Sequence, residues 1–334
     1  MTIGDTMLWD AEGAVVRQVL VTGATGTVGG PLVHRLAAAG HRVVALLRSP
    51  DGAGHTLPAG VVPVRGDLTD PASLRSALEG CDTVFHTAGL AEQWLADPSV
   101  FDRVNVQGTR HLVEAALAAG VECFVHTSTI DVFERAPGRP FDESRLESRP
   151  LATAYERTKQ DADRLVAAAV AERGLPARFV HPSAVYGPGR ADATLNLALA
   201  QLARNQVPML PPGGMPVVFA EDVAEGQLLA AGAPVGSRWI LSDTYLTMRE
   251  VARAVAAAVP GAKVPPTMPA PLARTVAAVG EGVSRITRRP PLLASGVLHF
   301  LRSHSVPDAT AARTRLGWTA TPFDKGLEAT FAAR

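Results

Sequence analysis

Lysine and tyrosine are scarce in this 334-residue chain: Lys stands only at Lys159, Lys263 and Lys325, and Tyr only at Tyr155, Tyr186 and Tyr245. Cysteine is scarcer still. Cys81 and Cys123 each lie beside an apolar run, and a disulfide framework needs more than two, so buried free thiols in a reducing cytoplasm are expected. No charge-free apolar stretch approaches the roughly 18 residues that span a bilayer, which excludes a membrane span. Lys and Arg number 32 against 32 Asp and Glu, and no basic run is clustered, so no global field recruits nucleic acid or anionic membrane. The first residues carry acids and lack the basic-then-apolar order of a secretory signal; a mobile leader is expected over residues 1–17.

What is present is 47% hydrophobic residues, enough for a sizeable core. Short apolar runs alternate with helical segments. Strands are expected at Val19–Val21, Val43–Leu47, Val61–Val64, Thr83–His86 and Cys123–His126, with helices at Pro31–Ala39, Pro71–Leu78 and Asn105–Ala119. That rhythm predicts an α/β fold with a doubly wound parallel sheet, whose ligands bind at the carboxyl ends of the strands. After Gly187-Pro188-Gly189 the chain becomes richer in Pro, Ala and Leu. Residues 18–180 are therefore read as a dinucleotide-binding core, and residues 181–334 mainly as a smaller substrate-binding lobe. Within that lobe a helix is expected at Ala191–Arg204, and Trp239-Ile240-Leu241 is expected to return a strand to the sheet. A capping box of Thr247 and Glu250 predicts a helix over Met248–Val259.

Two local patterns carry chemistry. Between the first strand and helix, Gly23, Gly26 and Gly29 stand three residues apart, with Thr25, Thr27 and Val28 among them. The first Gly permits a tight turn, the second lets backbone approach a pyrophosphate, and the third lets helix and strand pack closely. Amides at the helix start then bind the anion. The second pattern is Tyr155 followed one helical turn later by Lys159. Residues i and i+4 are neighbours on a helix, so the ammonium can stand beside a phenol that otherwise titrates near ~10. A fixed positive charge is expected to lower that value. At the end of the second strand comes Arg48, with no acid before Asp51; a guanidinium there suits the extra phosphate of NADP. NADP(H) is expected, with NAD(H) as the alternative.

Together these motifs make the chain similar to the extended short-chain dehydrogenase/reductases, of the epimerase/dehydratase superfamily, over nearly its whole length. The resemblance implies that Asp67 and Leu68 meet the adenine, and that Thr87, Ala88 and Gly89 lie beside the cofactor ribose. It places His181, Ser183 and Val185 near the nicotinamide, although Arg is usual where His181 stands. Asn105 to Thr109 matches the helix motif that supports the site. Thr129, with Ser128 beside it, takes the hydroxyl position of a catalytic group completed by Tyr155 and Lys159; Tyr155 moves the proton, and Lys159 also holds the nicotinamide ribose. A homodimer through two helices per subunit is the family habit.

Three departures turn the reading away from nucleotide-sugar epimerases and dehydratases. Thr129 is followed by Ile130-Asp131 and not by the Asp-Glu of dehydratases. Ala184 replaces an Asn that meets a diphosphate, and Met215-Pro216-Val217-Val218 offers no arginine before Glu221-Asp222. The segments Thr127–Val132 and Tyr155–Lys159, and the later Pro269–Leu293 stretch, resemble instead the 3β-hydroxysteroid dehydrogenase-like branch. The expected function is interconversion of a secondary alcohol and a ketone on a small, fairly apolar molecule, with no metal site. A nucleotide-sugar epimerase or reductase, and a dinucleotide-sensing regulator on the same fold, are the alternatives.

Overall fold

The computed structural model describes residues 17–50, 57–136, 139–188, 194–304 and 306–332. The expected leader up to Val16, Asp51, Gly189 and residues 191–193 lie outside the described residues. The strand rhythm yields a seven-stranded parallel sheet. Its members are β1 (Gln18–Thr22), β2 (Arg42–Leu47), β3 (Val62–Arg65), β4 (Thr83–His86), β5 (Cys123–Thr127), β6 (Ala177–Pro182) and β9 (Arg238–Leu241). They lie in the order β3-β2-β1-β4-β5-β6-β9. The strand order reverses between β1 and β4, which pair in register with Thr22 opposite His86. That reversal opens the crevice where ligands of such sheets bind.

Period-2 alternation explains why both faces of the sheet are covered. Val19 and Val21 pack with Leu32, Val33 and Leu36 of α1 (Gly29–Ala38) on one face. Leu20 turns to the other, with Leu74 of α2 (Pro71–Ala77) and Leu112. One helix departs from expectation. Helical structure begins earlier, at α3 (Ser99–Phe101), widens into a π-turn over Asp102–Gln107, and continues as α4 (Gly108–Ala119). A π-turn carries an extra residue per turn and often marks a functional site; here it holds Asn105 buried. The long helix α5 (Ala154–Arg173) opens on a capping box of Thr153 and Glu156.

Three strands that flank β9 in the chain, two before it and one after, form a second layer. The strands β7 (Ala184–Tyr186), β8 (Gly214–Phe219) and β10 (Thr244–Thr247) make a small mixed sheet. With α6 (Thr194–Ala203), α8 (Met248–Ala258) and α11 (Phe323–Ala332) it encloses its own apolar core of Leu199, Val217, Val251 and Leu327. The sequence did not suggest this sheet. The expected capping box of α8 is present. Between these, α7 (Ala220–Ala231) packs on α1 and under β5 and β6, so the later chain completes the first layer. Two further helices, α9 (Ala270–Thr287) and α10 (Ser295–Leu301), pack on each other.

Candidate active site

The turn after β1 is shaped by backbone contact. Gly23 has φ +71°, and a Cβ there would stand 2.8 Å from the Ala88 amide. A Cβ on Gly29 would meet the Gly23 carbonyl and lie 2.7 Å from Thr87 Oγ1. The turn is closed by Gly26 N–H to the Gly23 carbonyl at 2.9 Å. Among the described residues no side chain caps the start of α1; Gly30 N–H bonds the Gly26 carbonyl at 2.9 Å and Pro31 has no N–H, so the amides left for an anion are those just before them, at Val28 and Gly29. Thr27 Oγ1 is buried in the turn without a partner among the described residues. Thr25 is exposed and Val28 partly buried. An unpartnered hydroxyl, uncapped amides and a cradle that a methyl group would fill together fit the pyrophosphate of a nicotinamide dinucleotide.

The β4 end is locked to this turn. Thr87 Oγ1 donates to the Thr22 carbonyl at 2.6 Å, and the Ala88 amide to Thr22 Oγ1 at 3.2 Å. Behind them His86 bridges Thr22 Oγ1 and Thr109 Oγ1, each at 2.9 Å. Thr109 gives its own proton to the Asn105 carbonyl at 2.6 Å, so His86 must donate from Nε2 and accept at Nδ1. Burial lowers the His86 pKa to about 3, which keeps this bridge neutral. Asn105 Oδ1 accepts from the Leu90 amide at 2.8 Å, and its Nδ2 donates to Thr158 Oγ1 at 3.2 Å. One amide side chain thus ties the loop after Gly89 to the helix bearing Tyr155 and Lys159.

The remaining cofactor candidates spread around the crevice. Arg48 is exposed at the end of β2. Asp67 accepts from Thr69 at 2.8 and 2.7 Å in a local turn, and Leu68 is buried beneath it with its carbonyl 2.9 Å from His111 Nδ1. Val185 lies on β7 opposite Val218. Ser183 Oγ is buried without a partner among the described residues. His181 makes its polar contacts elsewhere, 3.1 Å from Asp163 Oδ2 and 3.2 Å from Arg238.

Thr129, Tyr155 and Lys159 come together where β5 ends. Lys159 is buried and donates from Nζ to the Thr127 carbonyl at 2.8 Å; burial lowers its pKa to about 8, against the opposing pull of Asp163. Tyr155 is partly buried beside them, its phenol within the influence of the Thr129 hydroxyl and of the Asp131 carboxylate. The net direction of its pKa is upward, contrary to the expectation from Tyr-Lys spacing: burial first, and then the Asp131 carboxylate, keep the phenol protonated. Ser128 anchors the strand end through its amide, to the Val180 carbonyl at 2.8 Å, while its hydroxyl is buried and unpartnered among the described residues.

A group that spacing did not reveal lies beneath these residues. Thr129 Oγ1 donates to Asp131 Oδ2 at 2.7 Å. Asp131 pairs with Arg135 at 3.1 Å, Arg135 with Glu156 at 3.5 Å, and Glu156 with His299 of α10 at 3.7 Å. Burial raises the Asp131 pKa, and Arg135 opposes that shift. The i,i+4 spacing of Asp131 and Arg135 was the available signal.

The model of the NAD dependent epimerase/dehydratase family matches residues 19–239. Sterol demethylase protein B of Methylococcus capsulatus is 30% identical over 307 residues, covering 90% of this chain and 93% of that protein. A 4-hydroxy-2-methyl-3-oxo-4-farnesyl-3,4-dihydroquinoline-1-oxide ketoreductase of Stigmatella aurantiaca is 32% identical over 332 residues, covering 93% and 95%. The crystal structure of a Thermus thermophilus UDP-glucose 4-epimerase in complex with NAD is 25% identical, with a TM-score of 0.77 over 95% of this chain and 98% of that one.

Proposed function

We propose that this chain, which belongs to the NAD dependent epimerase/dehydratase family, interconverts a ketone and a secondary alcohol on a small, fairly apolar molecule of steroid, terpenoid or polyketide type. The observation that carries the reading is the meeting of Thr129, Tyr155 and Lys159 at the end of β5, beside a turn that fits a pyrophosphate. A bound nicotinamide dinucleotide supplies or removes the hydride. The chain's own residues handle the proton. A phenol kept protonated by burial and by Asp131 is set to give its proton to a ketone oxygen; in the reverse direction Tyr155 takes the proton of the alcohol. Lys159 holds the ribose and, once the cofactor's charge is near, favours the phenolate that reduction leaves behind. Positioned proton transfer of this kind is worth ~10²–10⁴-fold.

The names of the relatives support a redox reaction on an apolar skeleton, one being a sterol protein and another a ketoreductase of a farnesyl-bearing compound. Ala184 and the arginine-free run Met215–Val218 speak against gripping a nucleotide-sugar diphosphate. Exposed Arg48 favours NADP(H) over NAD(H). In this reading residues 181–334 supply most of the substrate pocket. The two free, buried cysteines suit a cytoplasmic setting.

The test is NADPH absorbance with purified protein and a panel of apolar ketones, including 3-ketosteroids, with Tyr155→Phe as the matched control. Consumption by the wild type that drops by at least ~10²-fold in the variant is the expected result. Tight cofactor binding without turnover of any ketone would shift the reading to redox-neutral sugar chemistry or to cofactor sensing.

A further inference from the structure

We infer that the outer face of α9 docks on an anionic membrane surface. Leu272, Val276, Val279, Val283 and Ile286 recur at alternating steps of four and three residues, which places them in one narrow stripe along the helix. Apart from half-buried Val276 the stripe points outward: Val279 is 61%, Val283 53% and Ile286 86% exposed, and Leu292 beyond the helix is 85% exposed. The buried side of α9 is instead made of small residues, Ala273, Ala277 and Ser284. Single exposed apolar residues are ordinary; a continuous row of them marks an interaction site.

Charge selects the occupant. Residues 270–302 hold five arginines, no lysine and a single acid, Glu281, in a chain that is balanced overall. Arg285, Arg288 and Arg289 are exposed around the Ile286 end of the stripe. A second copy of this face would repeat the same positive charge, whereas anionic headgroups complement it. An apolar stripe sunk to the headgroup boundary, with guanidinium groups reaching lipid phosphates, is how interfacial helices bind. Among the described residues no helix is long and apolar enough to cross a membrane, so the contact is peripheral.

The location gives this contact a purpose. α10 links α9 to the helix that bears Tyr155: α10 packs on α9, and its His299 stands 3.7 Å from Glu156, the residue after Tyr155. A Cβ on Gly296 of α10 would lie 3.0 Å from the Gln93 carbonyl, in the loop that follows the cofactor crevice. A docked α9 would hold the candidate site beside the phase in which an apolar substrate dissolves. That last step rests on the proposed function; the docking does not.

The experiment is flotation of the full chain with phosphatidylcholine vesicles, alone or mixed with phosphatidylglycerol. Recovery with the mixed vesicles, weakened by high salt, is expected. Ile286→Glu and Val283→Glu/Ile286→Glu should cut the recovered fraction at least about ten-fold, and Arg285→Glu/Arg288→Glu/Arg289→Glu should remove the preference for anionic lipid. Circular dichroism verifies each fold, and Ile286→Ser stands in if a charged variant misfolds. Equal recovery of wild type and Ile286→Glu, or no recovery of wild type, overturns the inference. So does an Ile286-dependent dimer in sedimentation velocity. Because the readout is binding, failure here is distinguishable from failure of the ketone assay.

Discussion

Thr129 has one proton to give, and two acidic neighbours compete for its oxygen. With Asp131 ionised, the hydroxyl donates to the carboxylate at 2.7 Å and can only accept from Tyr155 or from a substrate alcohol. With Asp131 protonated, the donation reverses and the Thr129 proton is released toward a ketone oxygen. Asp131→Asn also removes the negative charge that helps to hold the phenol protonated. The base limb of kcat for alcohol oxidation should then move to lower pH by roughly one unit. A pH–rate profile of the variant checks this, and an unmoved limb would mean that the carboxylate does not act on Tyr155. Lys159 supplies a second profile. Its folded pKa of about 8 lies below its usual value, so the ammonium is present below that pH and lost above it. Accordingly kcat/KM, which reports the free enzyme, should decline above about pH 8, and Lys159→Arg should abolish that decline in whatever activity it retains.

Helices and turns set where these atoms stand. Thr153 caps α5 through the Glu156 amide at 3.1 Å, and Glu156 answers to the Thr153 amide at 2.9 Å. Loss of such a cap costs about 1 kcal/mol, so Thr153→Ala should lower the chemical-denaturation midpoint without changing the slope. The turn at Gly29 is less forgiving. Gly29→Ala drives a methyl into the Gly23 backbone, an overpacking of about 1–3 kcal/mol, and NADPH affinity measured by fluorescence titration should fall at least about ten-fold. The glycine turn was legible in the sequence because it sits within a few consecutive residues; the Thr153–Glu156 box is as local but was not singled out there, unlike that of Thr247 and Glu250. Most strands of the large sheet were legible for a related reason: the central ones, buried on both faces, appear as apolar runs such as Val43–Leu47, whereas β6, interrupted by Arg178 and His181, was not named. The small sheet was not, since β7 has three residues, β8 contains Pro216 and β10 is only Tyr245-Leu246 between two threonines. The Asp131–Arg135–Glu156–His299 chain was hidden because its last member arrives only when α10 folds back onto α5.

At the scale of the whole molecule, the acid response follows from histidines that face one another inside the sheet. His86 and His126 are register partners on β4 and β5, both buried and both with pKa values lowered chiefly by burial. Their folded pKa values lie below the unfolded value of ~6.5, so the unfolded chain takes up protons first. Stability should therefore fall as pH drops below about 6.5, by up to about 1.4 kcal/mol per pH unit for each histidine. For His86 that loss runs down to about pH 3. Denaturation midpoints measured across this range check the slope, and His126→Phe should flatten it.

The order of strands in the sheet bears on how the molecule is made. β9 is the last strand of the large sheet, reached only at Arg238, and Arg238 binds Asp163 of α5 at 2.7 Å across the β6 edge. Helix α1, formed near residue 30, finds its partner in α7, where Arg35 meets Glu221 at 3.2 Å. A chain emerging from the ribosome would thus leave α1 uncovered until α7 (Ala220–Ala231) had been synthesised, and the β6 edge of its sheet open until β9 (Arg238–Leu241) had followed. Through that interval the bare edge of β6 is a template for a neighbouring nascent chain, and slowing translation before Arg238 would lengthen its exposure to chaperones and to aggregation alike.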